Sequence, residues 1–253
     1  MDHYVKCGLL DKAQEVVKGL IVRNVVTWST LIAGYSQQGR SHAALECFAR
    51  MQGEGLSPNS VTFICILKAC GNIGAIKRGR LVHDEIKRKG LLEVDFMLGT
   101  DLVDMYVKCG MSARAQEVLD ELLARDVVSW SVPISGYAQE GHCQEALKCL
   151  KCMQNEGLSP NPVIFLGLLK ACCTTGSIEE GNQIHEEIVN YGLLHKDIAL
   201  GNALVLIYKK LLSQGFLGKD ITLSNALVTM HARCGMLAKA RETLEELLVR
   251  DVV

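Results

Sequence analysis

Three short clusters in this 253-residue chain have the side chains of a hydrolytic zinc site. His83-Asp84-Glu85 and His185-Glu186-Glu187 each spell H-x-E, and Cys149-Leu150-Lys151-Cys152 spells C-x-x-C. In zinc nucleoside deaminases such elements hold a metal that activates water while the glutamate moves protons. The context argues against that chemistry here. The two histidine triplets lie 102 residues apart at one recurring position, Lys148 stands where the deaminase motif has proline, and Cys149 recurs with Cys47 in apolar surroundings. Cys172 and Cys173 are adjacent and cannot chelate one ion with ordinary geometry. No glycine-rich phosphate loop, serine elbow or paired-carboxylate arrangement stands out. The chain therefore reads as a non-enzyme, with no catalytic residue, metal or cofactor expected.

The recurrence itself is the stronger signal. Val25-Val26-Thr27-Trp28-Ser29 returns as Val127-Val128-Ser129-Trp130-Ser131, and Gly55-Leu56-Ser57-Pro58-Asn59 as Gly157-Leu158-Ser159-Pro160-Asn161, each 102 residues on. Leu67-Lys68-Ala69-Cys70 and Tyr4-Val5-Lys6-Cys7-Gly8 return at the same offset, as Leu169-Lys170-Ala171-Cys172 and Tyr106-Val107-Lys108-Cys109-Gly110. A register held this long marks an array of stacked units rather than one or two globular domains.

The elements that position these residues are helices. Apolar residues run at helical spacing, as in Leu31, Ile32, Tyr35 and then Ala44, Leu45, Phe48, Met51. Glycines near 39, 74, 110, 141 and 176 interrupt the runs, and each interruption reads as a turn between two helices. The block divides into hairpins at 25–59, 60–95 and 96–126, of 35, 36 and 31 residues, and begins again with 127–161 and 162–197. Asn24, Asn59, Asp95, Asp126, Asn161, Asp197, Asp220 and Asp251 each precede a helix, where Asn and Asp are favoured N-caps. The pattern has no place for strands, so the fold class is all-α, a solenoid of stacked antiparallel hairpins.

One unit is damaged. Tyr208-Lys209-Lys210-Leu211-Leu212 lacks the turn glycine of Tyr106-Val107-Lys108-Cys109-Gly110, and residues 215–220 repeat the ending seen at 192–197. Only 23 residues separate Asp197 from Asp220 where a full block would place 102, as an in-register deletion or a splicing error would leave it. A kink or gap is expected there, with one helix over roughly 199–214. Residues 221–251 form a clean hairpin and 252–253 open another, so the chain is expected to be a segment of a longer array.

Composition limits the function classes. Twenty-seven basic against 28 acidic residues give a net charge of −1, which supplies no global attraction to nucleic acid or membrane. Any polyanion site must come from local placement. Of the 11 cysteines, Cys7, Cys109 and Cys234 share one repeat position, Cys47 and Cys149 another, Cys70 and Cys172 a third. Residues recurring this way are most simply small buried hydrophobes, which fits a reducing compartment. No run of 18 apolar residues offers a membrane span, and the N-terminus, which falls inside a repeat, shows no signal or transit peptide.

These fragments resemble the pentatricopeptide repeat family of land plants, in its PLS class of alternating 35-residue P, longer L and shorter S units. Asp126-Val127-Val128-Ser129-Trp130 with Ile134-Ser135-Gly136-Tyr137 carries the likeness for P. Val61-Thr62-Phe63, Leu67-Lys68-Ala69-Cys70 and Ile184-His185 carry it for L, and Asp104-Met105-Tyr106-Val107-Lys108-Cys109-Gly110 for S. Tetratricopeptide repeats, the nearest alternative, keep a 34-residue period without the alternation. By this resemblance the units are a partial S at 1–24, P at 25–59, L at 60–95, S at 96–126, P at 127–161, L at 162–197, a truncated S/L hybrid at 198–220, S at 221–251 and the start of a P at 252–253.

The resemblance implies a right-handed α-solenoid that binds single-stranded RNA, one base per repeat. Bases would be read by Ser29 with Asn59 (A), Thr100 with Asp126 (G), Ser131 with Asn161 (A), and Asn225 with Asp251 (U). Asn202 with Asp220 would read U if the damaged unit keeps its geometry. Ile64 and Leu166 leave the L units without a reading side chain, so the implied footprint is 5′-A-N-G-A-N-(U)-U-3′. Val26, Val61, Val128 and Val163 would sandwich bases, although helix-start packing explains them equally. Lys6, Lys108, Lys210 and Arg233 would contact phosphate, although a cation there also complements the helix dipole. Lys77, Arg78, Arg80, Lys87, Arg88 and Lys89 fall on second helices and read as a solvated outer face. The resemblance further implies C-to-U editing in a mitochondrion or chloroplast, docking of editing-factor proteins on L units, and a monomer without membrane association. The competing reading is a protein-interaction scaffold of tetratricopeptide type.

Overall fold

The computed structural model describes residues 2–175, 178–193, 199–201, 203 and 204, and among them the only extended regular structure is helical. Twelve α-helices follow in pairs: α1 (Asp2–Lys6) with α2 (Leu10–Gly19), α3 (Val25–Gln37) with α4 (Ser41–Gly53), α5 (Ser60–Ile73) with α6 (Ile76–Arg88). Then come α7 (Phe96–Lys108) with α8 (Ser112–Glu121), α9 (Val127–Gln139) with α10 (Cys143–Asn155), and α11 (Pro162–Thr175) with α12 (Ile178–Asn190). One helix pair lies in each of the intervals 25–59, 60–95, 96–126, 127–161 and 162–197. A short 3-10 turn, Leu91–Glu93, extends the 60–95 interval.

Among the described residues the turn inside a pair is tight. Gly39, Gly74, Gly110 and Gly141 all have φ between 66° and 78°, a left-handed conformation that side-chain-bearing residues rarely adopt. At Gly74 this closes α5, with the Ala75 N–H returning to Cys70 O at 2.9 Å.

The chain forms two compact units, residues 1–136 and 137–253. In the first, α3 packs on α4 and α5, and α5 packs on α4 and α7, so first helices of successive pairs lie side by side. The seam is apolar: Leu31, Ile32 and Tyr35 of α3, Phe63, Ile66 and Leu67 of α5, and Leu98, Leu102 and Tyr106 of α7 are essentially buried. Second helices are more amphipathic. In α6 only Gly79, Val82, His83 and Ile86 face inward, while Lys77, Arg78, Arg80, Lys87 and Arg88 are exposed. In the second unit α11 packs on α10 and α12, with Phe165, Leu168, Leu169 and Cys172 in its core.

Two helix features depart from the simple pattern. Pro133 lies inside α9, at the position that the first block fills with fully buried Leu31. It has no N–H to return to Ser129 O, so the ladder of α9 is interrupted there. Cysteine burial also divides: Cys47, Cys70, Cys149 and Cys172 are buried, whereas Cys7 is exposed and Cys109 only half-buried. The position shared by Cys7 and Cys109 is thus no core site, because Cys109 follows the last residue of α7 at the turn. The expected break at 198–220 lies almost wholly outside the described residues.

Candidate nucleic-acid interface

Every first helix from α3 to α11 begins on an Asn or Asp whose Oδ1 accepts a backbone N–H of the first turn. Asn24 takes Thr27 N at 2.9 Å, Asn59 takes Thr62 N at 2.9 Å, Asp95 takes Leu98 N at 3.2 Å, Asp126 takes Ser129 N at 2.8 Å and Asn161 takes Ile164 N at 3.1 Å. This is N-capping, which satisfies a donor the helix leaves without a partner. Because one side-chain oxygen is committed to the cap, the other end differs by residue: Asn presents an amide Nδ2, a donor, and Asp a second carboxylate oxygen, an acceptor. Burial alone would raise the Asp126 carboxyl pKa. Hydrogen bonds from the Ser129 hydroxyl and from nearby backbone N–H groups outweigh it and hold the group below the ordinary carboxylate range, hence ionised at neutral pH.

The hydroxyls at the fifth helix position behave differently from one another. Ser29 Oγ lies 2.7 Å from Thr62 Oγ1, and Thr62 Oγ1 donates to Asn59 Oδ1 at 2.8 Å, so Ser29 and Asn59 are joined through Thr62. Ser29 is 7% exposed while Asn59 is exposed. Ser131 Oγ instead donates to Val128 O, within its own helix, at 2.7 Å. Thr100, on α7, is half-buried, as are Ile64 and Leu166 at the equivalent place in α5 and α11.

Val26, Val61, Val128 and Val163 stand two residues after their caps with 69%, 54%, 60% and 69% of their surface exposed. Four apolar side chains held in solvent at one recurring position do not contribute to the core. The lysines are less uniform. Lys6 ends α1 in an exposed position. Lys108 ends α7 with its stem against Gly71 and its ammonium 2.8 Å from Asp104. Asn202, Asp220, Asn225, Asp251, Lys210 and Arg233 lie outside the described residues.

The zinc-like clusters are dispersed into packing. His83 is buried with Nδ1 2.8 Å from Tyr106 Oη, Cys149 is buried in α10, and Cys152 is exposed. Among the described residues no group of three or more His, Cys, Asp or Glu side chains could hold a metal ion, and no helix is long and apolar enough to cross a membrane. The hydroxyls of Thr62, which joins Ser29 to Asn59, and of Ser129, which bonds Asp126, are what the spacing argument passed over. Their sequence signal is a Thr or Ser three residues after the terminal Asn or Asp.

Successive capped helix pairs, each opening on an Asn or Asp followed two residues later by an exposed apolar side chain, define a helical-repeat solenoid. Family models match the chain: the PPR repeat family model matches residues 23–72 and 125–174, and the PPR repeat model matches 100–127 and 223–252. The chain belongs to the pentatricopeptide repeat family. A chloroplastic pentatricopeptide repeat-containing protein of Arabidopsis thaliana is 39% identical over 210 residues, covering 83% of this chain and 34% of that protein. A mitochondrial one from the same plant is 36% identical over 198 residues, covering 78% and 35%. The chain thus spans about a third of the length of these relatives. Among solved structures, the maize pentatricopeptide repeat protein PPR10 superposes with a TM-score of 0.65 at 18% identity, over 97% of this chain and 43% of that one. PPR10 in complex with an 18-nt psaJ RNA element gives the same TM-score at 20% identity, over 96% and 37%.

Proposed function

We propose that this chain binds single-stranded RNA base by base along its first helices and guides a processing activity supplied elsewhere, C-to-U editing in a chloroplast or mitochondrion. The observation that carries this reading is the exposed apolar side chain two residues after each capping Asn or Asp, Val26, Val61, Val128 and Val163 after four of them and Met97 after Asp95. An apolar face for a base to stack on and a polar atom for its edge recur together at one position of successive helix pairs, as a ligand with repeating flat units requires. The polar atoms also sort by base. The Watson–Crick edges of guanine and uracil carry a ring N–H for an Asp oxygen, whereas those of adenine and cytosine carry a ring nitrogen acceptor for an Asn Nδ2. Thr100 with Asp126 then takes G, and Asn59 and Asn161 take A with Ser29 and Ser131. On this reading Asn225 with Asp251, and Asn202 with Asp220, take U. Val26, Val61, Val128 and Val163 sandwich the bases, and Lys6, Lys108, Lys210 and Arg233 meet phosphates. Relatives named chloroplastic and mitochondrial, and a structural neighbour crystallised with RNA, support the class of ligand and the compartment.

The test is fluorescence-anisotropy titration with 5′-AUGAUUU-3′ RNA against the same RNA with its G changed to C. A preference for G that disappears in the Thr100→Ala/Asp126→Ala variant is expected. Four phosphate contacts at about 0.7 each give an expected fall of log affinity with log salt of slope about 3. Salt-sensitive binding without base preference reduces the activity to backbone contact, and absence of binding favours a protein-interaction scaffold.

A further inference from the structure

We propose that Thr62 is a positioning residue for base discrimination: its single hydroxyl proton fixes which hydrogen-bonding groups Ser29 and Asn59 turn toward a base. The inference rests on the RNA-reading function proposed above and adds a residue that does not itself touch the base, since Thr62 is fully buried.

The argument is one of proton counting. Asn59 Oδ1 faces two donors, Thr62 N at 2.9 Å and Thr62 Oγ1 at 2.8 Å. A flipped amide would set Nδ2, itself a donor, against the Thr62 N–H, so the oxygen is held inward and Nδ2 outward. The Thr62 hydroxyl has one hydrogen, and the carboxamide oxygen can only accept, so that hydrogen goes to Asn59. In the buried 2.7 Å contact between Ser29 Oγ and Thr62 Oγ1, Ser29 must therefore be the donor. Its hydrogen is committed, and it can offer a ligand lone pairs alone. The pair thus presents an acceptor from Ser29 and a donor from Asn59. Adenine and cytosine, with an exocyclic amine beside a ring acceptor, complement that order; guanine and uracil, with a carbonyl beside a ring N–H, oppose it.

Other units of the chain show what the hydroxyl adds. Thr27 and Ser129 also donate through Oγ to their caps, at 2.9 Å to Asn24 and 2.6 Å to Asp126. Where the residue is Leu98 or Ile164 the cap keeps only the backbone bond, and that bond is longer, 3.2 and 3.1 Å against 2.8 to 2.9 Å in the hydroxyl-bearing units. Asn161, followed by Ile164, thus receives one hydrogen bond in its cap where Asn59 receives two.

The experiment compares wild type, Thr62→Val and Thr62→Ser by anisotropy on 5′-AUGAUUU-3′ and on the same RNA with its first A changed to G or to hypoxanthine. A control RNA has its internal G changed to C. Wild type is expected to prefer A over both substitutes. Thr62→Val, nearly the same shape, is expected to lose most of that preference, roughly 5-fold or more, while its internal G-over-C preference stays as in wild type. Thr62→Ser is expected to retain both. An unchanged first-position preference in Thr62→Val overturns the proposal, as does equal loss at both positions, which marks a general structural effect. If Thr62→Val does not fold, wild type binding the hypoxanthine RNA as tightly as the adenine RNA, or Thr62→Ser losing the preference, overturns it. A wild type without preference at either position removes the underlying reading function, and this proposal with it.

Discussion

On the proposed reading the terminal Asn and Asp residues do two jobs with two atoms. Oδ1 caps the helix, and the second heavy atom, nitrogen or oxygen, is where the two residues differ. Asn59→Asp should leave the cap in place and change thermal stability by no more than about 0.5 kcal/mol. Asn59→Ala should cost about 1 kcal/mol, because Thr62 N loses its acceptor. Chemical denaturation of both variants reads this directly, and RNA titration of Asn59→Asp should show the first-position preference for A lost. A stability loss in Asn59→Asp equal to that of Asn59→Ala would refute the shared cap. Capping was legible from residue type and order alone because it is a contact across three residues. Thr62 was not, because its bond to Ser29 spans 33 residues and exists only once α3 and α5 are side by side.

The helix pairs were legible for a similar reason: a glycine with positive φ and an apolar stripe are local features that leave periodic marks. What periodicity does not register is a residue that fits the stripe and breaks the backbone. Pro133 is such a residue, apolar and buried like Leu31 but lacking the N–H that α9 needs. Since an interior proline costs a helix about 3 kcal/mol, Pro133→Leu is expected to stabilise the protein, by up to that amount, with the leucine taking the place Leu31 has in α3. A rise in the denaturation midpoint checks it; a fall would mean that the proline ring fills a space leucine cannot. The cysteines illustrate the opposite limit. A shared repeat position implied shared burial, yet Cys7 and Cys109 sit at turns, where a recurring residue need not be a packed one.

At the scale of the molecule, stability in such an array is carried by each helix pair and its seam with the next. His83 of α6 and Tyr106 of α7 bridge one such seam, buried edge to face with a 2.8 Å hydrogen bond. Burial foremost, then the nearby charges of Lys87 and Arg114, lower the His83 pKa beneath its ordinary 6.5, against the opposing pull of Asp84 and Glu121. The folded chain thus keeps the imidazole neutral where the unfolded chain binds a proton. This contribution is complete above about pH 6.5 and is lost as pH falls toward the folded value. Melting temperature should drop between pH 7.5 and 5.5, and His83→Gln should shrink the drop. An undiminished drop in that variant would place the titration elsewhere. The 102-residue register and the stacking of pairs were both legible here, whereas the partner of His83 depended on a neighbouring unit that no motif names.

The capping geometry has one more consequence, and it concerns descent. Asn and Asp codons differ by a single nucleotide, and either residue keeps Oδ1 on the helix. On the proposed reading, an array of this construction can be respecified one base at a time by point mutation without crossing a folding barrier. Lineages built on it are therefore free to diverge in what they bind while their architecture stays the same.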